Sequence, residues 1–270
     1  MTLRELYELI ELQKDTVKRL DVLLEDFELA PYKDLIADLT TRERAEGAYK
    51  TLKEMLGDDP LGMKILACYL NAALITYENY AALGFDDAVF ADTMKCFTRF
   101  INEDIEREDK PSFGRAFWNY RHLNCTLFRI GALEYELLEK NGERKISVHI
   151  PSDADLSPES LDESFASARR FISEKFPDYA DAVIYCESWL MYPTLHELLP
   201  EGSRILGFQD RFEITRVNSA SSHHLVYIFH RADCTDLSAL PEDTSLQRRV
   251  KGYLLEGGGI CSAYGVYKGN

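Results

Sequence analysis

Three side chains with different chemistry follow one another where a predicted strand ends. The run from Ala182 to Cys186 is apolar and partly β-branched, which is typical of a buried strand. Glu187, Ser188 and Trp189 come directly after it. Ligands of open α/β sheets bind outside the carboxyl ends of the strands. A carboxylate there can accept a proton from a substrate, so Glu187 and Ser188 are candidate catalytic residues and Trp189 is a candidate pocket wall.

Further polar candidates stand in or at the ends of other predicted strands. His149 lies on the face opposite the apolar residues of its strand, where it can act as a base or orient a carboxylate. His230 and Arg231 end an apolar run, and Arg231 can bind an anion. A period of two puts Gln209 and Arg211 on one side of their predicted strand, as possible pocket groups. Each of these residues also has a structural interpretation as a hydrogen-bonded or ion-paired part of the scaffold.

The first 110 or so residues have the pattern of consecutive amphipathic helices. Apolar residues recur at helical spacing, and Thr2-x-x-Glu5 and Thr40-x-x-Glu43 are both predicted capping boxes. Gly57 is a predicted helix C-cap. The aromatic residues of this region are expected to form a helical core, and the sequence therefore predicts an N-terminal helical bundle.

The pattern changes near residue 123. Alternating apolar residues on both sides of Asn141-Gly142 predict a β-hairpin, and Ser157-Pro158 predicts the start of a helix. Further strands are expected at 182–187, 204–217, 224–231 and 260–267. The predicted fold class is α+β, with a helical N-terminal domain over 1–122 and a mixed α/β sheet domain over 123–270.

Composition excludes several classes of protein. The net charge of −15 over 270 residues does not suit a nucleic-acid binder or a protein of anionic membrane surfaces. The six cysteines form no CxxC pair, so we expect no metal site and free thiols in a cytoplasmic protein. The N-terminus lacks the basic and apolar regions of a signal peptide, and no apolar run approaches a membrane span.

Several phrases of the second half together resemble a family of bacterial two-domain proteins, which join an N-acyltransferase N-terminal domain to a GNAT-like C-terminal domain. They include "SVHIPSDADLSPESLDESFASARRFISEKFPDY", "VIYCESWLMYPTLHELLP" and "ILGFQDRF". The resemblance implies a GNAT-type sheet and acyl transfer from acyl-CoA to an amine of a small molecule or peptide, with Glu187 or His149 as the base. Tyr264 or Tyr267 can supply the general acid for the departing thiolate.

Two departures from the family leave alternatives open. GNAT enzymes bind the CoA pyrophosphate with a Q/R-x-x-G-x-G/A loop, whereas the stretch 232–249 after the predicted strand 224–231 contains no glycine. Position 187 is often histidine in the family and is Glu187 here. A GNAT-fold binding protein for a small polar ligand, without catalysis, is therefore the alternative, and a carboxylate-based hydrolase is a third. The sequence does not predict the oligomeric state.

Overall fold

The helical pattern of the N-terminal region is realised as a series of packed helices. The computed structural model describes residues 1–219, 224–231 and 234–269. The helices before the first strand are α1 (Leu3–Leu9), α2 (Lys14–Asp26), α3 (Lys33–Asp38), α4 (Ala45–Leu56), α5 (Met63–Ala82), α6 (Asp87–Met94), α7 (Cys96–Glu108) and α8 (Ala116–Leu123). The predicted helical bundle is confirmed.

The predicted helix ends are confirmed in two cases and wrong in one. The Thr2 hydroxyl accepts a hydrogen bond from the backbone N–H of Glu5, and the Glu5 carboxylate accepts one from the backbone N–H of Thr2. These two bonds form the predicted capping box at the N-terminus of α1. Gly57 ends α4 with φ of 61°. The hydroxyl of Thr40, however, donates to the carbonyl of Ala37 at 2.8 Å, and α4 begins only at Ala45.

α5 lies at the centre of this bundle, because most of its circumference is buried. Two side chains of α5 form hydrogen bonds with α8, one at each end of α8. The Tyr69 hydroxyl donates to the carbonyl of Ala116 at 2.9 Å, and the Thr76 hydroxyl donates to that of Leu123 at 2.7 Å. α8, which leads into the first strand, is therefore fixed along the central helix.

The second half contains a mixed sheet, as predicted. Its strands are β1 (Leu127–Ile130), β2 (Leu133–Lys140), β3 (Glu143–His149), β4 (Val183–Ser188), β5 (Phe212–Asn218) and β6 (Ser262–Tyr267). Their order across the sheet is β1-β2-β3-β4-β6-β5. β3 and β4 are parallel, whereas β6 is antiparallel to both β4 and β5.

The predicted hairpin joins β2 and β3. Asn141 and Gly142 form its turn with φ of 54° and 78°. Positive φ at both central residues is what a two-residue type I′ hairpin loop requires, and Asn-Gly adopts it at low cost. The turn therefore fixes which residues of β3 face the core.

Helices pack around the sheet in the second half. They are α9 (Pro158–Lys175), α10 (Leu195–Leu198), α11 (Arg204–Gln209), α12 (His224–Phe229) and α13 (Ser245–Leu255). The apolar stripe predicted for α9 is buried, and its residues are Leu161, Phe165, Ala168 and Ile172. The ring of Phe165 stacks on that of Tyr267 of β6 at 4.0 Å, so α9 covers this face of the sheet.

The strand predicted over 224–231 is wrong, because residues 224–229 form α12. A short continuous apolar run fits both a strand and a buried helix. Leu225, Ile228 and Phe229 follow helical spacing and pack into one cluster with Val250 and Leu254 of α13. The packing of one side of this segment against α13 therefore favours a helix over a strand.

The single strand predicted over 204–217 is wrong in its first half. Residues 204–209 form α11, and β5 begins at Phe212. Gln209 ends the helix and Arg211 lies in the turn that follows, so the two do not share one side of a strand. α11 instead packs against α9 and the turn after β4, which brings a helix end close to the sheet.

The chain divides into two compact units. The first comprises Met1–Ile130, Glu134–Glu136 and Pro151–Asp153, and the second comprises Gly131–Leu133, Leu137–Ile150 and Ala154–Asn270. β2 contributes residues to both units.

Candidate functional site

The parallel strands β3 and β4 separate at their carboxyl ends. Their backbone pairing ends with Ser147 opposite Tyr185. β3 nevertheless runs on to His149, and β4 runs on to Ser188. Adjacent strands that part in this way open a crevice at the edge where ligands of α/β sheets bind. The structure thus brings His149 and the end of β4 to the two sides of this opening.

Glu187 is held from the two strands beyond it. It lies opposite Tyr264 of β6, and Tyr264 lies opposite Arg216 of β5. Asn218 Nδ2 donates to Glu187 Oε1 at 3.3 Å, and Arg216 Nη2 lies 3.7 Å from Glu187 Oε2. The carboxylate therefore lies beside a cation and remains accessible to solvent, so a substrate can reach it.

Tyr264 forms the centre of this row of side chains. Its ring stacks on that of Tyr185 with centroids 4.7 Å apart, and the guanidinium carbon of Arg216 lies 5.4 Å from its centroid. Burial raises the pKa of the Tyr264 hydroxyl above its ordinary value, although Lys145 and Arg216 oppose this effect. Tyr264 thus keeps its proton at neutral pH.

Ser188 and Trp189 stabilise the turn that leaves β4. The Ser188 hydroxyl accepts from the backbone N–H of Leu190 at 3.2 Å and caps the short 3-10 helix Trp189–Met191. The Trp189 ring packs against the apolar cluster that includes Leu195. These contacts fix the direction of the chain beyond Glu187.

Gln209 holds the same turn from α11. Its side chain is buried, and Nε2 donates to the carbonyl of Leu190 at 2.8 Å and to that of Tyr192 at 3.0 Å. The structure therefore places Gln209 as a clamp on the backbone that follows the candidate base.

The two residues after Gln209 each hold a different segment. Asp210 Oδ1 lies 3.2 Å from His196 Nε2 of α10. Arg211 donates from Nη2 to the carbonyl of Pro158 at 3.0 Å and to Asp162 Oδ1 at 2.6 Å, both in the first turns of α9. Residues 209–211 thus join the turn after β4, α10 and α9.

A cavity of about 350 Å³ opens beside the start of α9. His196, Asp210, Arg204 and Arg211 supply most of its charged lining. A histidine oriented by a carboxylate can exchange protons, so the His196–Asp210 pair is a candidate that sequence reasoning missed. His196 stands inside the phrase "TLHELLP", but Asp210 is distant in sequence and nothing in the pattern links the two.

Loss of the Gln209 clamp is expected to destabilise the site. Gln209→Met keeps the volume of the side chain but removes both donors, which leaves two carbonyls without their partner at a cost of about 1–3 kcal/mol in the free energy of unfolding. Urea denaturation measures this change. The matched control is Gln13→Met, whose side chain also makes two hydrogen bonds but in a more exposed position. Equal losses for both variants would contradict the assigned role.

The remaining candidates lie elsewhere in the second unit. His230 follows α12 with φ of 55°, and His230 and Arg231 are both exposed. Because 224–231 is not a strand, these two residues do not stand at a strand end as predicted. Tyr267 packs under α9, on the covered side of the sheet, which leaves Tyr264 as the tyrosine beside Glu187.

The phosphate-binding loop expected after residues 224–231 has no strand before it, because residues 224–229 form α12. Residues 232 and 233 lie outside the described ones. The strand-to-helix turn beside the opening is 150–157, between β3 and α9, and it also contains no glycine. The Ser157 hydroxyl there donates to Asp155 Oδ2 at 2.8 Å.

Among the described residues, no group of three or more histidine, cysteine, aspartate or glutamate side chains is placed to hold a metal ion. No helix in the described part of the chain is both long and apolar enough to cross a membrane.

Family comparisons cover both halves of the chain. Residues 1–125 match the N-acyltransferase N-terminal domain, and residues 127–267 match the GNAT-like C-terminal domain. Among curated proteins, none matches this chain in sequence.

Solved structures of acyltransferases have a similar fold. An acyltransferase mutant in complex with octanoyl-CoA matches with a TM-score of 0.79 and 21% identity, over 98% of this chain and 87% of that one. An acyltransferase in complex with decanoyl-CoA and teicoplanin matches with a TM-score of 0.72 and 21% identity, over 99% of both chains. Another complex with decanoyl-CoA matches with a TM-score of 0.70 and 18% identity, also over 99% of both.

Proposed function

The chain belongs to the family that joins an N-acyltransferase N-terminal domain to a GNAT-like C-terminal domain, and from this premise we propose that it transfers an acyl group from acyl-CoA to an amine of a small molecule or peptide. The observation that carries the proposal is the opening between β3 and β4, flanked by His149 and Glu187. The acyltransferases of similar fold were solved with octanoyl-CoA or decanoyl-CoA bound. We place the domain boundary near residues 122 and 123, at the end of α8, the last helix before the strands.

In the proposed reaction Glu187 is the base. It removes a proton from the ammonium form of the acceptor, and the free amine attacks the carbonyl carbon of the thioester. A carbon–nitrogen bond forms, the carbon–sulfur bond breaks, and its electron pair leaves with the sulfur. Tyr264 gives a proton to the thiolate and is reprotonated by the proton that the nitrogen loses. The products are an amide and the CoA thiol.

Other residues have supporting roles in this proposal. His149, across the opening, is the alternative base. Trp189 forms a wall beyond β4, and Ser188 acts through the turn that it caps. Gln209 and Arg211 position the turn and the first turns of α9, and no role in the reaction is assigned to His230 or Arg231.

We place the CoA phosphates at the start of α9. Helix N-termini favour anions because their backbone N–H groups are unpaired and the helix dipole is positive there. In the described structure, α9 has no side-chain cap at its first turn. Asp155 in the preceding turn is paired with Arg204 at 3.2 Å, and Arg211 lies over the first turn, which moderates the negative charge of this region.

The first test is the thermal stability of the protein with acyl-CoA. A ligand that binds only the native state at about 100 times its Kd stabilises that state by about 2.7 kcal/mol, so octanoyl-CoA and decanoyl-CoA are expected to raise the Tm with concentration. ATP at equal concentration is the control, because it carries a similar nucleotide and charge without the pantetheine arm. Absence of any shift at millimolar acyl-CoA would contradict the proposed function.

A further inference from the structure

Glu187 and Arg216 form a pair of opposite charges on the open face of the sheet. Glu187 Oε2 and Arg216 Nη2 are 3.7 Å apart, and the side chains are 36% and 66% exposed. Neither charge is buried by the protein, so a ligand can reach both. A zwitterion carries an ammonium and a carboxylate at a similar separation, and it can pair with each of these side chains.

Arg216 is suited to bind a carboxylate beside the candidate base. A guanidinium presents a planar fork of donors that matches the two oxygens of a carboxylate. Its carbon lies 5.4 Å from the ring centroid of Tyr264, so the guanidinium lies against an aromatic face. Lys145 also lies near these rings, and its ammonium group pairs with Glu143 at 3.3 Å instead of with the candidate base.

The same face offers an apolar support for a side chain. Tyr185 and Tyr264 stack with centroids 4.7 Å apart, and Tyr185 lies opposite Val266. Val183, two residues before Tyr185 on the same face of β4, is also exposed. Aromatic or branched apolar groups gain by packing on such a surface.

We propose that the acceptor is a free α-amino acid with an aromatic or large apolar side chain. This inference rests on the proposed function. Arg216 binds the α-carboxylate, Glu187 takes the proton of the α-ammonium group, and the side chain lies on Tyr185 and Tyr264. The nitrogen then attacks the thioester as described above, so that the products are an N-acyl amino acid and the CoA thiol. Arg216 thereby determines acceptor specificity.

The experiment compares acceptors that differ only in the carboxylate. Release of the CoA thiol from octanoyl-CoA is measured with L-phenylalanine and with 2-phenylethylamine. A hydrogen bond to a charged group is lost with the analogue that lacks the carboxylate, so kcat/KM for L-phenylalanine is expected to be higher by a factor on the order of 10². In Arg216→Gln this advantage is expected to disappear through a rise in KM for L-phenylalanine, whereas Arg216→Lys restores part of it. Arg170→Gln, an exposed arginine on α9, is the control.

A binding measurement separates this inference from the proposed function. Calorimetric titration of L-phenylalanine is expected to show binding to the wild type and loss of binding in Arg216→Gln, whether or not acyl transfer occurs. Equal turnover of both acceptors, or binding that is unchanged in Arg216→Gln, would overturn the inference and leave acyl transfer intact. Failure of acyl-CoA to bind, with L-phenylalanine binding retained, would overturn the acyltransferase and keep the amino-acid site.

Discussion

Glu187→Gln is expected to reduce acyl transfer by about 10²–10⁴-fold, the usual contribution of a positioned general base. The amide keeps the shape of the side chain and can still bond to Asn218, but it cannot accept the proton of an ammonium group. Binding of acyl-CoA should be unchanged, because the base acts on the acceptor. Steady-state release of the CoA thiol measures the first effect, and the thermal shift with octanoyl-CoA measures the second.

Glu213→Gln is the matched control for that substitution. Glu213 is exposed and lies on β5 opposite Val266. Its substitution by glutamine removes one negative charge from the same sheet, as Glu187→Gln does. It should leave turnover unchanged. Full activity of Glu187→Gln would assign the base to His149 across the opening, and His149→Gln would then be the variant that loses activity.

Glu134→Ala is expected to have the largest effect on stability. In the first unit, Arg99 Nη2 donates to Glu134 Oε1 at 2.5 Å, and His122 Nε2 lies 3.3 Å from the same oxygen. None of the three side chains is more than 7% exposed. Removal of the carboxylate takes the nearest counter-charge from a buried guanidinium and leaves it with Glu103 and Asp153, each 3.9 Å away. We expect a cost of about 3 kcal/mol in the free energy of unfolding. Urea denaturation at neutral pH measures the loss.

An exposed ion pair provides the control for the buried one. Glu46 pairs with Lys50 at 2.6 Å on the surface of α4, and both side chains are more than 60% exposed. Glu46→Ala should leave the free energy of unfolding unchanged, because solvent screens such pairs. Similar losses in the two variants would show that burial does not distinguish them.

The contribution of Glu134 should also depend on pH. Burial opposes its ionisation, but Arg99 and His122 together hold the pKa of the carboxyl well below its ordinary value of 4.5. A group whose pKa is lowered by folding stabilises the native state fully above its unfolded pKa, and this stabilisation is lost as the pH falls towards the folded pKa. The difference between wild type and Glu134→Ala should therefore shrink below about pH 4.5.

Local sequence signals predicted the parts of the fold that depend on local chemistry. The Asn141-Gly142 turn set the hairpin, and the spacing from Leu161 to Ile172 set the buried stripe of α9. The strand predicted over 224–231 is wrong because a short apolar segment has no clear periodicity. Its packing against α13 determines that it forms a helix.

The candidate site was only partly predictable for a related reason. Glu187 is marked locally, since it ends an apolar strand. Arg216 and Asn218 reach it from β5 only because β6 lies between the two strands and sets their register. The pairing of His196 with Asp210 likewise depends on the packing of two short helices, which no spacing in the sequence expresses.

The position of β6 in the sheet has a consequence for how the protein is made. β5 leaves the ribosome before β6, yet its place in the sheet exists only once β6 has paired with β4. At a synthesis rate of about 5–20 residues per second, the segment 219–261 keeps β5 waiting for a time on the order of seconds. During that interval the edge of β4 and both edges of β5 are open to pairing with other chains. The nascent second unit is therefore expected to need protection by chaperones at this stage, whereas the helical first unit can fold before it.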